Sequence, residues 1–104
     1  AIELAYFGVA DVCEGAEIRW QTVREADTAG FIVYRSKDED LNNAQPVSAQ
    51  MTLATGAGGS YAVIDEAVKA GTSYTYWLAE IGLDGNQKIV AKTIFAAQGC
   101  VAGP

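Results

Sequence analysis

"GTSYTYWLAE" (residues 71–80) sets Tyr74, Tyr76 and Trp77 within four positions and follows them with Leu78 and Ala79. Successive side chains on a strand point to opposite faces, so a strand with one wet face alternates apolar and polar residues. Here both sets are apolar: Tyr74, Tyr76 and Leu78 fall on one side, Trp77 and Ala79 on the other. One face meets a core, and the other needs a cover. The neighbouring segments bear on what that cover is.

Downstream, "LDGN" (83–86) links this stretch to "QKIVAKTIFAA" (87–97), and Asp84-Gly85 suits the positive φ values of a tight hairpin. Upstream, "FIVYRS" (31–36) is again apolar on both sides, with Phe31 and Val33 facing one way and Ile32 and Tyr34 the other. By contrast, "AEIRWQTV" (16–23) alternates cleanly, with Ile18, Trp20 and Thr22 opposite Glu17, Arg19 and Gln21. "IELAYFGV" (2–9) and "YAVID" (61–65) read as further strands. "VSAQMTL" (47–53) reads as a short edge strand behind Pro46, which is tolerated at a strand start or edge. Such β-rich runs, separated by Gly, Asp, Asn and Ser clusters, have the rhythm of an all-β sandwich of seven strands. No convincing helix interrupts them, although "DEAVKAG" (65–71) has room for one turn.

The chain has 104 residues, enough for one domain, and no apolar run approaches the roughly 20 residues needed to cross a bilayer. Its net charge of −6 gives no basic footprint for a phosphate backbone or an anionic membrane, so nucleic acid and membrane insertion are not expected. There is no histidine, which removes the commonest general base and the commonest transition-metal ligand. Serines 36, 48, 60 and 73 therefore lack an activating imidazole, and no Ser-x-x-Lys arrangement replaces it. Asp65 and Glu66 are adjacent, so on a strand they diverge and cannot flank one scissile bond. "DEDLN" (38–42) starts like a calcium loop but supplies Asn43 and Ala49 where that loop needs glycine and a bidentate carboxylate. "GAGGS" (56–60) has no following Lys-Ser/Thr and no helix, so it reads as a flexible loop rather than a phosphate cradle. No catalytic residue, metal site or cofactor is expected. Cys13 and Cys100 lack C-x-x-C spacing, which leaves two readings: a disulfide made in an oxidising compartment, or two separate buried thiols. "AIELAYFGVA" (1–10) does not read as a signal peptide.

"WQTVREADTAGFIVYRS" (20–36) and "SYAVIDEAVKAGTSYTYWLAE" (60–80) together resemble fibronectin type III-like domains of bacterial secreted and surface proteins, over about residues 2–97. The resemblance implies an antiparallel Greek-key β-sandwich of immunoglobulin-like type, one domain over 1–104 with a short tail at 98–104. It implies Trp20, Phe31, Val33, Tyr61, Tyr76 and Leu78 as core. Tyr74 is similar to the family's corner tyrosine, whose hydroxyl bonds back to the upstream backbone, and Asp65 would cap the adjoining turn. In the family's topology the turn after the first strand and the end of the last share one pole, which favours a Cys13–Cys100 disulfide. The hairpin at 83–86 carries no Arg-Gly-Asp, so that integrin-binding device is absent.

With the same topology, Trp77 faces outward beside Ile32 and Tyr34 of the neighbouring strand, and Val90 joins them in one of two possible registers of the last strand. That gathers an exposed apolar patch, for which three readings are open: lysine stems cover it, it docks against another domain or a second copy, or it is a carbohydrate platform. The expectation is a non-catalytic module of an exported, extracellular or cell-surface protein, docking through this face. Its partners would be other protein domains or copies of itself, with carbohydrate as a further candidate. Two alternatives are a small subunit that polymerises into an extracellular filament or envelope assembly, and a carbohydrate-binding accessory domain of a secreted hydrolase.

Overall fold

The computed structural model describes residues 1–100. The last part of the expected tail, 101–104, lies outside the described residues. Strands β1 (Ile2–Val12), β2 (Gly15–Glu25), β3 (Thr28–Ser36), β4 (Gln45–Pro46), β5 (Thr52–Leu53), β6 (Gly59–Asp65), β7 (Ser73–Gly82) and β8 (Gln87–Ala96) follow one another. The helical element described is a single 3-10 turn at Leu41–Asn43.

One sheet has the order β1-β2-β6 and the other β4-β3-β7-β8, with β5 also on β3, and all pairs are antiparallel. The sandwich has eight strands rather than seven, because two short strands, β4 just before the expected edge strand at 47–53 and β5 at its end, take its place. β4 pairs at Tyr34 and Arg35, the chain leaves, and β5 returns to the same edge of β3 at Gly30 and Phe31. Pro46 lacks an N–H, and the next residue supplies the bond, Val47 N donating to Val33 O at 2.8 Å.

Period-two alternation on β2 aims Ala16, Ile18 and Trp20 inward, and β3 and β7 answer with Phe31, Val33, Tyr74, Tyr76 and Leu78. Trp20 meets Phe31 edge-on at 5.7 Å and stacks on Tyr61 at 5.4 Å. Tyr61 packs against this core but is only partly buried, because its hydroxyl reaches the pole of the sandwich to donate to Glu25. The β7–β8 connection is a four-residue loop, and within it only Gly85 has positive φ, at 85°. Asp84 instead uses its carboxylate, accepting from Asn86 N at 2.9 Å.

Cys13, in the turn between β1 and β2, is bonded to Cys100 beyond β8. Asp11 Oδ1 accepts from the backbone N–H groups of Gln98 (2.9 Å) and Gly99 (3.1 Å), so the segment after β8 is held twice.

Candidate functional site

Trp77 points away from the core, yet it keeps only 4% of its surface. Its register partners on either side are Tyr34 of β3 and Lys92 of β8. Both neighbours are tied down: the Tyr34 hydroxyl donates to Gln87 Oε1 at 2.9 Å, and Lys92 Nζ lies 3.4 Å from Glu39. A central strand between two long, anchored side chains leaves little of an indole for water. Every residue from Tyr74 to Glu80 is in fact buried.

The exposed patch expected from Ile32, Tyr34, Trp77 and Val90 is therefore not formed. Ile32 and Tyr34 are half-buried. Val90 is turned the other way, because the β7–β8 register shifts between Leu78 and Ala79. Leu78 pairs with Ala91 and Ala79 with Ile89, leaving Val90 as the extra residue of a bulge, packed against the core. Ile89 takes the outward position.

Polar chemistry concentrates at the two ends of the sandwich. At one, Asp65 is 2% exposed and accepts from Arg35 Nη1 (2.6 and 2.7 Å), the Tyr76 hydroxyl (2.9 Å) and Ala67 N (3.1 Å). The last contact caps the turn after β6. The ion pair ties β3 of one sheet to β6 of the other. Arg35 sits 5.9 Å over the Tyr74 ring, and the Tyr74 hydroxyl accepts from Lys69 N at 2.8 Å. Burial, reinforced by the Asp65 charge, raises the Tyr76 hydroxyl well above its ordinary range.

At the opposite end Glu25, 5% exposed, accepts from the hydroxyls of Thr22 (2.6 Å) and Tyr61 and from Gly56 N (2.9 Å). Burial alone would raise its pKa, but these donors together outweigh it and hold the carboxyl below its ordinary value. Glu80 is held low in the same way against its own burial, by the Ala1 amino group at 2.9 Å and the Thr28 hydroxyl at 2.7 Å. Each of these buried carboxylates accepts from donors of its own chain. Such groups fasten strands and loops together.

In the 38–43 loop the Asp38 carboxylate turns on its own backbone, accepting from the Ser36 hydroxyl (2.6 Å), Asp40 N (2.9 Å) and Asn43 Nδ2 (3.0 Å). Those donors hold Asp38 below its ordinary range.

The outer face of the β1-β2-β6 sheet is different in kind. Tyr6 is 55% exposed there. Its row across the sheet continues through Gln21 to Ser60, and the next row runs from Gly8 through Arg19 to Ala62. The Tyr6 ring leans along β1 over Gly8: a Cβ at that glycine would fall 2.1 Å from Tyr6 Oη and 2.6 Å from Cζ. Tyr6, Arg19, Gln21, Ser60 and Ala62, with Trp20 and Tyr61, line a shallow cleft of about 310 Å³. Sequence reasoning passed over it, although the signals were present: Tyr6 and Gly8 share a face, and the other side of β2 is polar.

No protein-family model and no curated protein matches the chain. Solved structures do resemble it. It is similar to part of a pectate lyase from Erwinia chrysanthemi in complex with tetragalacturonic acid, at 15% identity and a TM-score of 0.66 over 88% of this chain. The chain spans only 28% of the length of that lyase chain. A myokine is similar over 92% of this chain and 96% of its own, at 17% identity and a TM-score of 0.61. An Fn3-like protein from Clostridium thermocellum is similar over 98% and 97%, at 16% identity and a TM-score of 0.60. Together with the two antiparallel sheets, these likenesses define the fold as a fibronectin type III-like β-sandwich. At such identities they speak to the fold alone.

Proposed function

We propose that the chain is a non-catalytic sandwich module of an exported protein, a single domain over 1–104 that spaces and positions neighbouring domains outside the cell or at its surface. The observation that carries this reading is the covalent closure of the fold, Cys13 to Cys100, doubled by the Asp11 clamp on the following backbone. Disulfides persist in oxidising compartments. Both poles being fastened by hydrogen-bonded carboxylates fits the same role. Similar folds that stand almost alone in their chains support the single-domain reading, and the pectate lyase, whose chain contains the fold as a fraction, supports a place as one module of a larger protein.

Two of the free sheet edges, β8 and β1, weigh against a subunit that polymerises by adding a strand there. β8 carries Lys88, Lys92 and the Val90 bulge, and β1 breaks register twice, between Glu3 and Leu4 and between Leu4 and Tyr6. Charges and bulges are what guarded edges use to refuse a further strand.

The test compares the oxidised chain with the Cys13→Ser/Cys100→Ser variant by urea titration and native mass spectrometry. The disulfide separates residues 87 apart, so its loss should cost up to about 4.5 kcal/mol in the chain-entropy account, with both forms monomeric. Equal stability of the two forms would remove the argument for an exported module. Concentration-dependent polymers of the oxidised chain would favour the filament subunit instead.

A further inference from the structure

We infer that the outer face of the β1-β2-β6 sheet carries a saccharide-binding subsite centred on Tyr6, and that it takes a neutral pyranose chain. This goes beyond the spacer reading and does not depend on it.

Three observations converge. The first is the posture of Tyr6. Its ring leans along β1 until the hydroxyl end occupies the space a side chain at Gly8 would fill, and Gly8, two residues on along the same face, leaves that space open. About half of the tyrosine's surface is open, so the ring offers apolar area beside the polar groups of Arg19, Gln21 and Ser60. Aromatic rings bury large areas at little conformational cost, and tyrosine adds a hydroxyl at the rim.

The second is the relief of the surface beside it. β6 contributes only Ser60 and Ala62 to the outer rows that Arg19 and Gln21 occupy on β2. Short side chains on the edge strand next to tall ones on the central strand make a trough rather than a flat sheet. The cleft of about 310 Å³ stands at the lower end of the range for small-molecule sites. The guanidinium of Arg19, the amide of Gln21 and the hydroxyl of Ser60 supply both donors and acceptors, as a ring of sugar hydroxyls requires.

The third is charge. Arg19 Nε donates to Glu17 Oε1 at 2.6 Å, so the one cation lining the cleft is already neutralised by its neighbour in the next row. The chain as a whole carries −6. A polyuronate would meet a repulsive field and no free counter-charge, whereas a neutral hexose or pentose chain meets neither penalty.

Titration of the ¹⁵N-labelled chain with cellohexaose, xylohexaose and tetragalacturonate tests this by amide shift changes. With cellohexaose or xylohexaose, the largest shifts should fall on Tyr6, Gly8, Arg19, Gln21 and Ser60, at millimolar concentrations. Tyr6→Ala should weaken binding about tenfold by removing the stacked face. Gly8→Val, which leaves the tyrosine in place but forces its ring off the sheet, should weaken it comparably. Both variants should retain the native near-ultraviolet dichroism of the buried aromatics, which separates lost binding from lost fold. Shifts with neither neutral oligosaccharide, shifts centred elsewhere, or tighter binding of tetragalacturonate than of the neutral chains would each overturn the assignment.

Discussion

Both sheets turn an aromatic side chain away from the core, Trp77 from the middle of one and Tyr6 from the edge of the other, yet Trp77 keeps 4% of its surface and Tyr6 55%. The difference lies in what stands beside each ring. Trp77 is flanked on both sides by long side chains that are themselves anchored, to Gln87 and to Glu39. Tyr6 has Gln21 on one side, no strand on the other, and a glycine two residues along its own strand. Outward parity is set by the strand, and exposure by the height and tethering of the neighbours. An aromatic on an outer face is therefore structural or available according to its rungs rather than its own identity.

The widest separation between the two rings should appear in stability. Trp77→Ala removes a buried side chain and is expected to cost about 3 kcal/mol, read as a lowered urea midpoint at unchanged slope. A loss close to zero would mean that the indole is already in water and the contrast is false.

The next effect separates packing from charge. Glu25 and Glu80 have folded-state pKa values below their ordinary 4.5, so their contribution is complete above that pH and is lost as pH falls through the depressed values. Stability should therefore decline on acidification below about pH 4.5. Glu25→Gln should flatten that decline, whereas Trp77→Ala should lower the whole curve and keep its shape. Urea titrations between neutral pH and pH 3 check both, and an unaltered acid slope in Glu25→Gln would count against the buried network.

Smallest of all should be the change for Tyr6→Ala, within about 0.5 kcal/mol, since the ring is half in solvent and outside the core. A loss comparable with that of Trp77→Ala would make Tyr6 a structural cover and weaken its case as a ligand platform.

Much of this was legible in the residues themselves. Period-two patterns on 16–23, 31–36 and 74–80 are enough to separate inward Trp20, Phe31, Val33, Tyr76 and Leu78 from outward Ile32, Tyr34 and Trp77. What pattern could not give was height. Whether Trp77 is covered depends on a Tyr34–Gln87 bond between strands that are not neighbours in the sheet. Val90 could not be placed because a bulge adds one residue and reverses parity beyond it, with no composition mark at the site. Arg35 fell on the inward parity of β3 after Phe31 and Val33, a charge where a core residue was due. That irregularity was readable, but its partner Asp65 lies on the other sheet. Tyr6 and Gly8 were visible as a pair on one face, and only a third strand bearing Ser60 and Ala62 turns that pair into a trough.

The bond between Cys13 and Cys100 also decides how the molecule would transmit a pull. Tension applied between residue 1 and residue 100 runs along the first strand to the cysteine and crosses directly through sulfur, bypassing everything from 14 to 99. Most of the sandwich is then out of the mechanical circuit, and only the short lead before Cys13 can pay out under load. Reduction would bring the whole length back into the path.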